Sequence, residues 1–193
     1  MSKLFSEIDE QLARFIADQH IFFVATAPLS VRGHVNCSPK GLDSLRILDS
    51  HRVAYIDFTG SGIETIAHIR ENSRVVLMFC AFQGPPKIVR IHGQGRVIEP
   101  DHSEFAATLS SFGREAQPAI RAIIHVTATR ISTSCGYAVP LLNFEGERDQ
   151  LEKWAEHKGK PGLEAYKRES NAKSIDGLTG LPLTVHSENS ESG

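Results

Sequence analysis

A glycine-rich turn near the middle of the chain has the residue types that bind anions. Thr59-Gly60-Ser61-Gly62 follows an alternating apolar run and precedes a helical pattern. Hydroxyl groups, together with the backbone N–H groups at the start of a helix, form a common phosphate site. Ser61 and Glu64 also stand in the S-x-x-E order of a capping box, which would make this an ordinary capped turn. The turn alone leaves both interpretations open.

Two segments carry polar side chains at every second position. In the first, Asn36, Ser38 and Lys40 share one face of a predicted strand, because strand side chains alternate with period two. That face is either a binding groove for phosphate and other polar groups or an ordinary hydrated surface. The second segment presents Arg90, His92, Gln94 and Arg96 in the same way. It either lines a cleft for an anionic group or faces solvent or a partner.

Other catalytic patterns are absent from the sequence. The nine histidines are scattered, without H-x-H or HExxH spacing, so no metal site is predicted. Cys37, Cys80 and Cys135 lack CxxC spacing and are interpreted as reduced structural thiols. No G-x-S-x-G nucleophile motif occurs. The catalytic residues therefore cannot be named from the sequence.

Composition narrows the class of protein. The 193 residues include 21 Lys and Arg against 23 Asp and Glu, a formal net charge of −2. Nucleic-acid binders usually carry a basic excess, so we expect no nucleic-acid partner. The longest apolar run, Val75–Phe82, is far shorter than the roughly 20 residues that span a bilayer. The N-terminal residues turn acidic early, unlike a secretory signal. We expect a cytoplasmic protein without membrane association.

Hydrophobic periodicity predicts a mainly β protein with flanking helices. An inner face of Val89, Ile91, Gly93, Gly95 and Val97 forms the longest alternation, and its two glycines predict close approach of another backbone. Arg74–Phe82 is nearly all apolar and predicts a strand buried on both faces. Further strands are predicted at Ile21–Ala27, His34–Ser38, Arg52–Phe58 and Ile123–Ser132, and helices within 4–16, 63–69, 100–111, 115–121 and 146–158.

These elements fit an antiparallel barrel better than a parallel sheet. A βαβ unit occurs at most once, around Val53–Phe82. We predict one domain over residues 1–170, with N- and C-terminal helices. Residues 171–193 form a C-terminal extension whose low-complexity end, from Ser187, is predicted to be disordered.

The order of segments resembles the pyridoxamine 5′-phosphate oxidase-like family. The resemblance covers roughly residues 8–140 and rests on the T-G-S loop, Glu71-Asn72-Ser73-Arg74 and the G-x-G-R-V end of the long strand. Cys37-Ser38-Pro39-Lys40-Gly41, Leu77-Met78-Phe79-Cys80, Ser134-Cys135-Gly136-Tyr137 and Ser174-Ile175-Asp176-Gly177-Leu178 look like an oxidase-related branch distinct from the vitamin B6 enzymes.

This resemblance implies an antiparallel FMN-binding split barrel and a homodimer that binds two FMN molecules at its interface. It implies a flavin-dependent oxidoreductase acting on a small molecule of unidentified structure, with chemistry carried by the flavin. The predicted FMN-binding residues are Asn36, Ser38, Lys40, Thr59, Gly60, Ser61, Thr65, Gln94 and Arg96.

One departure from the family pattern supports a second hypothesis. Glu64 and Thr65 stand where the B6 oxidases carry an Arg-Lys pair that grips the FMN phosphate. A carboxylate at the start of a helix repels a phosphate. The alternative is a non-catalytic dimeric barrel that binds a flavin, haem or another small ligand.

A packing argument also predicts the dimer. A barrel of this length has too little interior to bury Val75–Phe82 together with Val89, Ile91 and Val97. Exposed apolar patches of that size usually mark an interface.

Overall fold

The structure is a computed structural model and describes residues 2–182. Its strands are β1 (Lys3–Phe5), β2 (Phe22–Thr26), β3 (Asn36–Lys40), β4 (Leu45–Ile47), β5 (Arg52–Phe58), β6 (Arg74–Cys80), β7 (Ile88–Ile98) and β8 (Ile120–Ser134). Its helices are α1 (Glu10–Ala17), α2 (Glu64–Asn72), α3 (Phe105–Ser110) and α4 (Gln150–Ser170).

All eight strands form one antiparallel sheet that curls into a split barrel. The strand order is β3-β2-β6-β7-β8-β5-β4, and β1 pairs with the far end of β8. Residues Ile120–Thr127 of β8 pair with β5 on one side, and β8 pairs with β7 along nearly all of its length on the other. The predicted antiparallel barrel class is therefore confirmed.

The core lies inside the curl and is closed by α1 and α2. Leu12 and Ile16 of α1 and Ile66 and Ile69 of α2 are buried against the inward side chains of the sheet. A second hydrophobic cluster forms where α3 packs on Ile56 and neighbouring residues of the sheet. The C-terminal helix α4 is interrupted at Gly159, where φ is 61°, two residues before Pro161.

The glycines of β7 sit where larger side chains would collide. A Cβ atom on Gly93 would overlap the backbone of Thr127, and one on Gly95 would overlap the side chain of Ile69. The sequence-based expectation of a close backbone approach is confirmed, and Gly95 also lets α2 pack directly on the sheet.

Several local predictions need correction. Leu4 and Phe5 belong to β1, so the first helix begins only at Glu10, capped by Asp9, whose Oδ1 accepts a 2.8 Å hydrogen bond from Leu12 N. The short β4 had no clear pattern in the sequence. No helix spans 115–121 within the described chain, since that segment leads directly into β8.

The strand β6 is not buried on both faces. Val75, Leu77 and Phe79 are buried, whereas Val76 and Met78 on the other face are partly exposed. One chain buries Val89 and Ile91 completely by itself. The packing argument for a dimer therefore fails for Val89 and Ile91, whereas Val76, Met78 and Val97 stay partly exposed in one chain, and the dimer remains a prediction.

Among residues 2–182, no helix combines the length and hydropathy of a membrane span. The predicted disorder from Ser187 lies outside the described residues.

Candidate functional site

A cluster of hydroxyl and amide groups lies between β2, β3 and α2. We call Thr26, Asn36, Ser38, Thr65 and His68 the polar cluster. Asn36 Nδ2 donates to Thr65 Oγ1 at 2.9 Å and to Thr26 Oγ1 at 3.2 Å, and Ser38 Oγ donates to Asn36 Oδ1 at 3.1 Å. The structure thus joins three residues that the sequence predicted as site residues: Asn36, Ser38 and Thr65.

His68 forms the buried end of this cluster. Its Nδ1 lies 3.0 Å from Thr26 Oγ1. The Thr26 hydroxyl thus links His68 to Asn36, whose Nδ2 donates to the same oxygen. The other ring nitrogen of His68, Nε2, is buried and has no hydrogen-bond partner among residues 2–182. Burial lowers the pKa of His68 and outweighs the opposing effects of Asp176, Glu64 and Glu71.

Next to the polar cluster, three charged side chains form a buried ion cluster: Lys40, Asp57 and Arg121. Lys40 Nζ donates to Asp57 Oδ1 at 2.8 Å, and Arg121 Nε donates to Asp57 Oδ2 at 2.7 Å. Asp57 has no exposed surface. Burial opposes its ionisation, but the charges of Lys40 and Arg121 outweigh burial and lower the pKa of Asp57. The carboxylate is therefore ionised and both its oxygens are paired.

The ion cluster connects to the glycine-rich turn through Asn171. Asn171 Nδ2 donates to the Gly60 carbonyl at 2.8 Å, and Asn171 Oδ1 accepts from Arg121 at 3.1 Å. Arg121 also donates to the Gly60 carbonyl at 3.3 Å. Asn171 is fully buried, so these contacts fix the turn from the inside.

The glycine-rich turn and the first turn of α2 form what we call the α2 cradle. Helix α2 begins at Glu64, and its N-cap position, Ile63, makes no side-chain capping bond. Of the two interpretations of this turn, the capping box of Ser61 and Glu64 is therefore not formed. Ser61 is exposed, and a Cβ atom on Gly60 would meet nothing within 4 Å. The buried Thr59 hydroxyl has no hydrogen-bond partner among residues 2–182.

A hairpin from the C-terminal extension covers the start of α2. Residues 171–181, the C-terminal hairpin, are closed by the Lys173–Thr179 bridge. Ile175 N donates to Glu64 Oε1 at 3.3 Å. Asp176 accepts hydrogen bonds of 2.7 Å from the backbone N–H of His34 and from its ring nitrogen Nδ1. The hairpin thus adds a second carboxylate near the cradle.

Two predicted site residues lie elsewhere. Gln94 and Arg96 project from the exposed face of β7, opposite the face that packs on α2. Arg96 forms a bidentate pair with Glu104, at 2.9 and 2.6 Å. Within the described chain, no hydrogen bond joins either residue to the polar cluster, the ion cluster or the α2 cradle.

Four of the central residues were not found by sequence reasoning: Asp57, His68, Arg121 and Asn171. Asp57 carried the best local signal, since it is the one acidic residue in the apolar run Arg52–Phe58. Arg121, which binds Asp57, lies 64 positions further along the chain, and Asn171, which binds Arg121, lies 50 positions beyond that, so no local spacing marks them. In the part of the chain that is described, no three His, Cys, Asp or Glu side chains converge as metal ligands.

Comparison with known proteins identifies the family. The family model for pyridoxamine 5′-phosphate oxidase matches residues 8–135. The chain belongs to the pyridoxamine 5′-phosphate oxidase family. A pyridoxamine 5′-phosphate oxidase family protein of Aspergillus flavus, ustO, is 37% identical over 94% of this chain and 78% of its own length.

Solved structures agree on the fold. A HupZ structure from Group A Streptococcus has a TM-score of 0.53 at 23% identity, covering 66% of this chain and 99% of that one. A structure described as a putative pyridoxamine 5′-phosphate oxidase from Lactobacillus delbrueckii has a TM-score of 0.51 at 17% identity, covering 67% and 98%. The family match includes the polar cluster, the ion cluster and the α2 cradle, whereas the C-terminal hairpin lies beyond it.

Proposed function

We propose that this member of the pyridoxamine 5′-phosphate oxidase family is an FMN-dependent oxidoreductase that acts on a small molecule. The observation that carries the proposal is the unpartnered Thr59 hydroxyl beside an α2 terminus without a side-chain cap. The first N–H groups of a helix have no partner inside the helix, and they favour an anion. A phosphate would satisfy both the hydroxyl and these N–H groups.

The residues around the cradle fit the phosphate end of FMN. Thr59, Ser61 and the α2 N–H groups would bind phosphate oxygens. Lys40 supplies a nearby cation, and the polar cluster offers hydrogen bonds to the polar edges of the cofactor. A bound flavin would supply the electron-transfer chemistry, while these residues bind and orient it. Asn171 would keep the turn in its binding conformation through the Gly60 carbonyl.

We also propose that the protein is a homodimer. The outer face of the sheet around β3, β2 and β6 carries partly exposed Phe23, Val76 and Met78. Leu29 and Val35, in the loop that joins β2 to β3, are 63% and 74% exposed. Apolar side chains exposed next to each other on a sheet face favour association with a second copy. Light scattering after size exclusion tests this, and a monomeric mass at micromolar concentration would contradict it.

Titration with FMN, followed by quenching of flavin fluorescence, tests the cofactor. Thr59→Val keeps the side-chain shape and removes one neutral hydrogen bond, so FMN affinity should fall by about 0.5–1.5 kcal/mol. Thr127→Val, on the exposed face of β8, is the matched control and should bind FMN like the parent. A colourless protein that takes up no FMN would overturn the proposal.

The charge balance of the site favours a second candidate, a non-catalytic flavin-binding protein. Lys40 is already paired with Asp57, and Glu64 lies at the phosphate end of the cradle. Reduction of the bound flavin separates the two candidates. An oxidoreductase should pass electrons from a nicotinamide donor to an artificial acceptor in repeated turnovers, whereas a storage protein should bind FMN without turnover.

A further inference from the structure

A large cavity lies outside the polar cluster and the α2 cradle. Its volume is about 1420 Å³, above the roughly 300–1,000 Å³ of typical small-molecule sites. Four segments form its walls: residues 15–23, 39–42, 82–85 and 142–151. The last of these, which we call the strap, follows the matched family region in the chain.

Four phenylalanine rings and one histidine ring contribute to the lining of this cavity. Phe15, Phe23 and Phe82 are only partly buried, and Phe144 of the strap is 44% exposed. The rings of His20 and Phe144 stack with centroids 3.7 Å apart and planes 7° from parallel. A flat aromatic ligand would cover the ring surfaces that remain exposed, gaining both hydrophobic burial and ring stacking.

The strap is fixed to the rest of the chain on both sides of Phe144. Leu142 N donates to the Phe82 carbonyl at 2.9 Å. Glu147 accepts a 3.3 Å hydrogen bond from Leu42 N. Together with the His20–Phe144 stack, these contacts hold the cavity open before any ligand enters, which reduces the entropy lost on binding.

The polar lining favours a ligand without net charge. Lys40 and Arg148 are balanced by Asp18 and Glu147. Gln19, Gln83 and Asn143 add neutral amides that can bind hydroxyl or carbonyl substituents. The charges cancel, so neither an anion nor a cation is preferred as a whole.

Lys40 connects the cavity to the candidate cofactor site. Its side chain lines the cavity, while its Nζ donates to Asp57 in the ion cluster. A ligand in the cavity would therefore lie beside the residues that we assign to the flavin.

We infer that the cavity under the strap is the substrate chamber and that it takes a flat, uncharged aromatic molecule with hydrogen-bonding substituents. The role as substrate chamber rests on the proposed function, whereas binding of the aromatic molecule does not. The walls are formed by residues of one chain. Phe23 belongs both to the cavity lining and to the proposed dimer face, whereas Val76 and Met78 of that face lie outside the lining.

Binding of N-phenyl-1-naphthylamine to the flavin-free protein tests the inference. This uncharged aromatic probe fluoresces strongly in apolar sites, and we expect saturable binding of one molecule per chain. Phe144→Ala and Phe23→Ala should each weaken binding about tenfold, since each removes most of a buried aromatic contact. Tyr137→Ala, at an 81% exposed position outside the cavity, should bind like the parent.

Three outcomes would overturn the inference: no saturable binding, equal affinity in Phe144→Ala and the parent, or affinity that falls as protein concentration rises. The third would mean that a second copy fills the cavity. Circular dichroism checks that Phe23→Ala folds. If Phe23→Ala does not fold, Phe144→Ala, on the exposed strap, tests the inference alone.

An FMN titration of the same variants keeps this inference distinct from the proposed function. Phe144→Ala should retain the FMN affinity of the parent within about twofold, because Phe144 lies outside the α2 cradle. Probe binding without FMN binding would overturn the proposed function and leave the aromatic chamber standing.

Discussion

Lys40 and Asp57 form an ion pair between two strands that are not neighbours in the sheet. Lys40 ends β3, the first strand of the sheet path, and Asp57 lies on β5, next to the last. Their 2.8 Å contact joins the two ends of the curl across its interior. Arg121 of β8 binds the other oxygen of Asp57. One buried carboxylate thus connects three strands at the candidate site.

Replacing Asp57 should therefore destabilise the whole barrel. Asp57→Asn leaves Arg121 buried without a counter-ion, and removal of one partner from a buried ion pair typically costs about 3–5 kcal/mol. The free energy of unfolding in urea measures the effect. The exposed Asp49, paired with Arg52, provides the matched control, and Asp49→Asn should change stability far less, because solvent screens an exposed pair. Similar losses in both variants would contradict the assigned role of the ion cluster.

The buried His68 makes stability depend on pH. Because its pKa in the folded state is lowered below 6.5, the unfolded chain binds more protons as the solution becomes acidic. The stabilisation is complete above pH 6.5 and is lost as pH falls below it, at up to about 1.4 kcal/mol per pH unit. His68→Gln should show a shallower loss of stability between pH 7.5 and 5.5. The exposed His157 is the control, and if His157→Gln had the same effect, burial of His68 would not be the cause.

Gly93 should tolerate no side chain. A Cβ atom there would overlap the Thr127 carbonyl and Val126, both on β8. We expect Gly93→Ala to destabilise the protein by about 1–3 kcal/mol through overpacking. Gly162→Ala in α4 meets only ordinary contacts with Lys158, so it should be neutral or stabilise by up to about 1 kcal/mol. Thermal unfolding of the two variants is the measurement. A loss of stability in Gly93→Ala alone indicates the collision with β8, whereas equal losses in both variants would indicate a general effect of replacing glycine.

The sequence was most informative where hydrophobic periodicity decides the structure. Strand Arg52–Phe58 has the predicted bounds, and the alternation in β7 gives the observed buried and exposed faces. Leu4 and Phe5 fit a helical stripe equally well, but pairing with β8 makes them a strand. Tertiary pairing overrides local pattern in so short a segment.

The candidate site was predictable only in part, for a related reason. Asn36, Ser38 and Lys40 share a face because of strand geometry, which the sequence shows directly. Lys40 meets Asp57 through the curl of the sheet, and Arg121 and Asn171 join this contact from β8 and the C-terminal hairpin. Contacts between distant segments leave no local spacing, so this arrangement became visible only in the fold.

Asn171 should hold the glycine-rich turn in place. Asn171→Ala removes the hydrogen bonds to the Gly60 carbonyl and to Arg121, and the latter is charge-assisted. We expect a loss of about 1.5–3 kcal/mol in the free energy of unfolding. FMN affinity should fall as well, since the turn would be free to leave its binding conformation. Gln117→Ala, at an exposed position, should change neither quantity. A stability loss with unchanged FMN affinity would show that Asn171 stabilises the fold but does not position the cradle for FMN.

Glu64 should limit the affinity of the cradle for a phosphate. Its carboxylate stands at the first position of α2, where the positive end of the helix dipole would otherwise favour the anion. Glu64→Gln removes the charge and retains an oxygen to accept the Ile175 N–H, so FMN should bind several-fold more tightly. Glu64→Arg adds a cation and should improve affinity by about tenfold or more, an effect that salt weakens.

The same substitutions should carry a cost in helix stability, which gives an internal check. A negative charge in the first turn stabilises a helix by about 0.3–1 kcal/mol, so both variants should lose about that much in urea unfolding. Glu152→Gln, in the first turn of α4, should show a comparable stability loss with no change in FMN affinity. If Glu64→Arg bound FMN no better than Glu152→Gln did, the carboxylate would act only on the helix. The phosphate would then bind elsewhere, and the α2 cradle would lose its assignment.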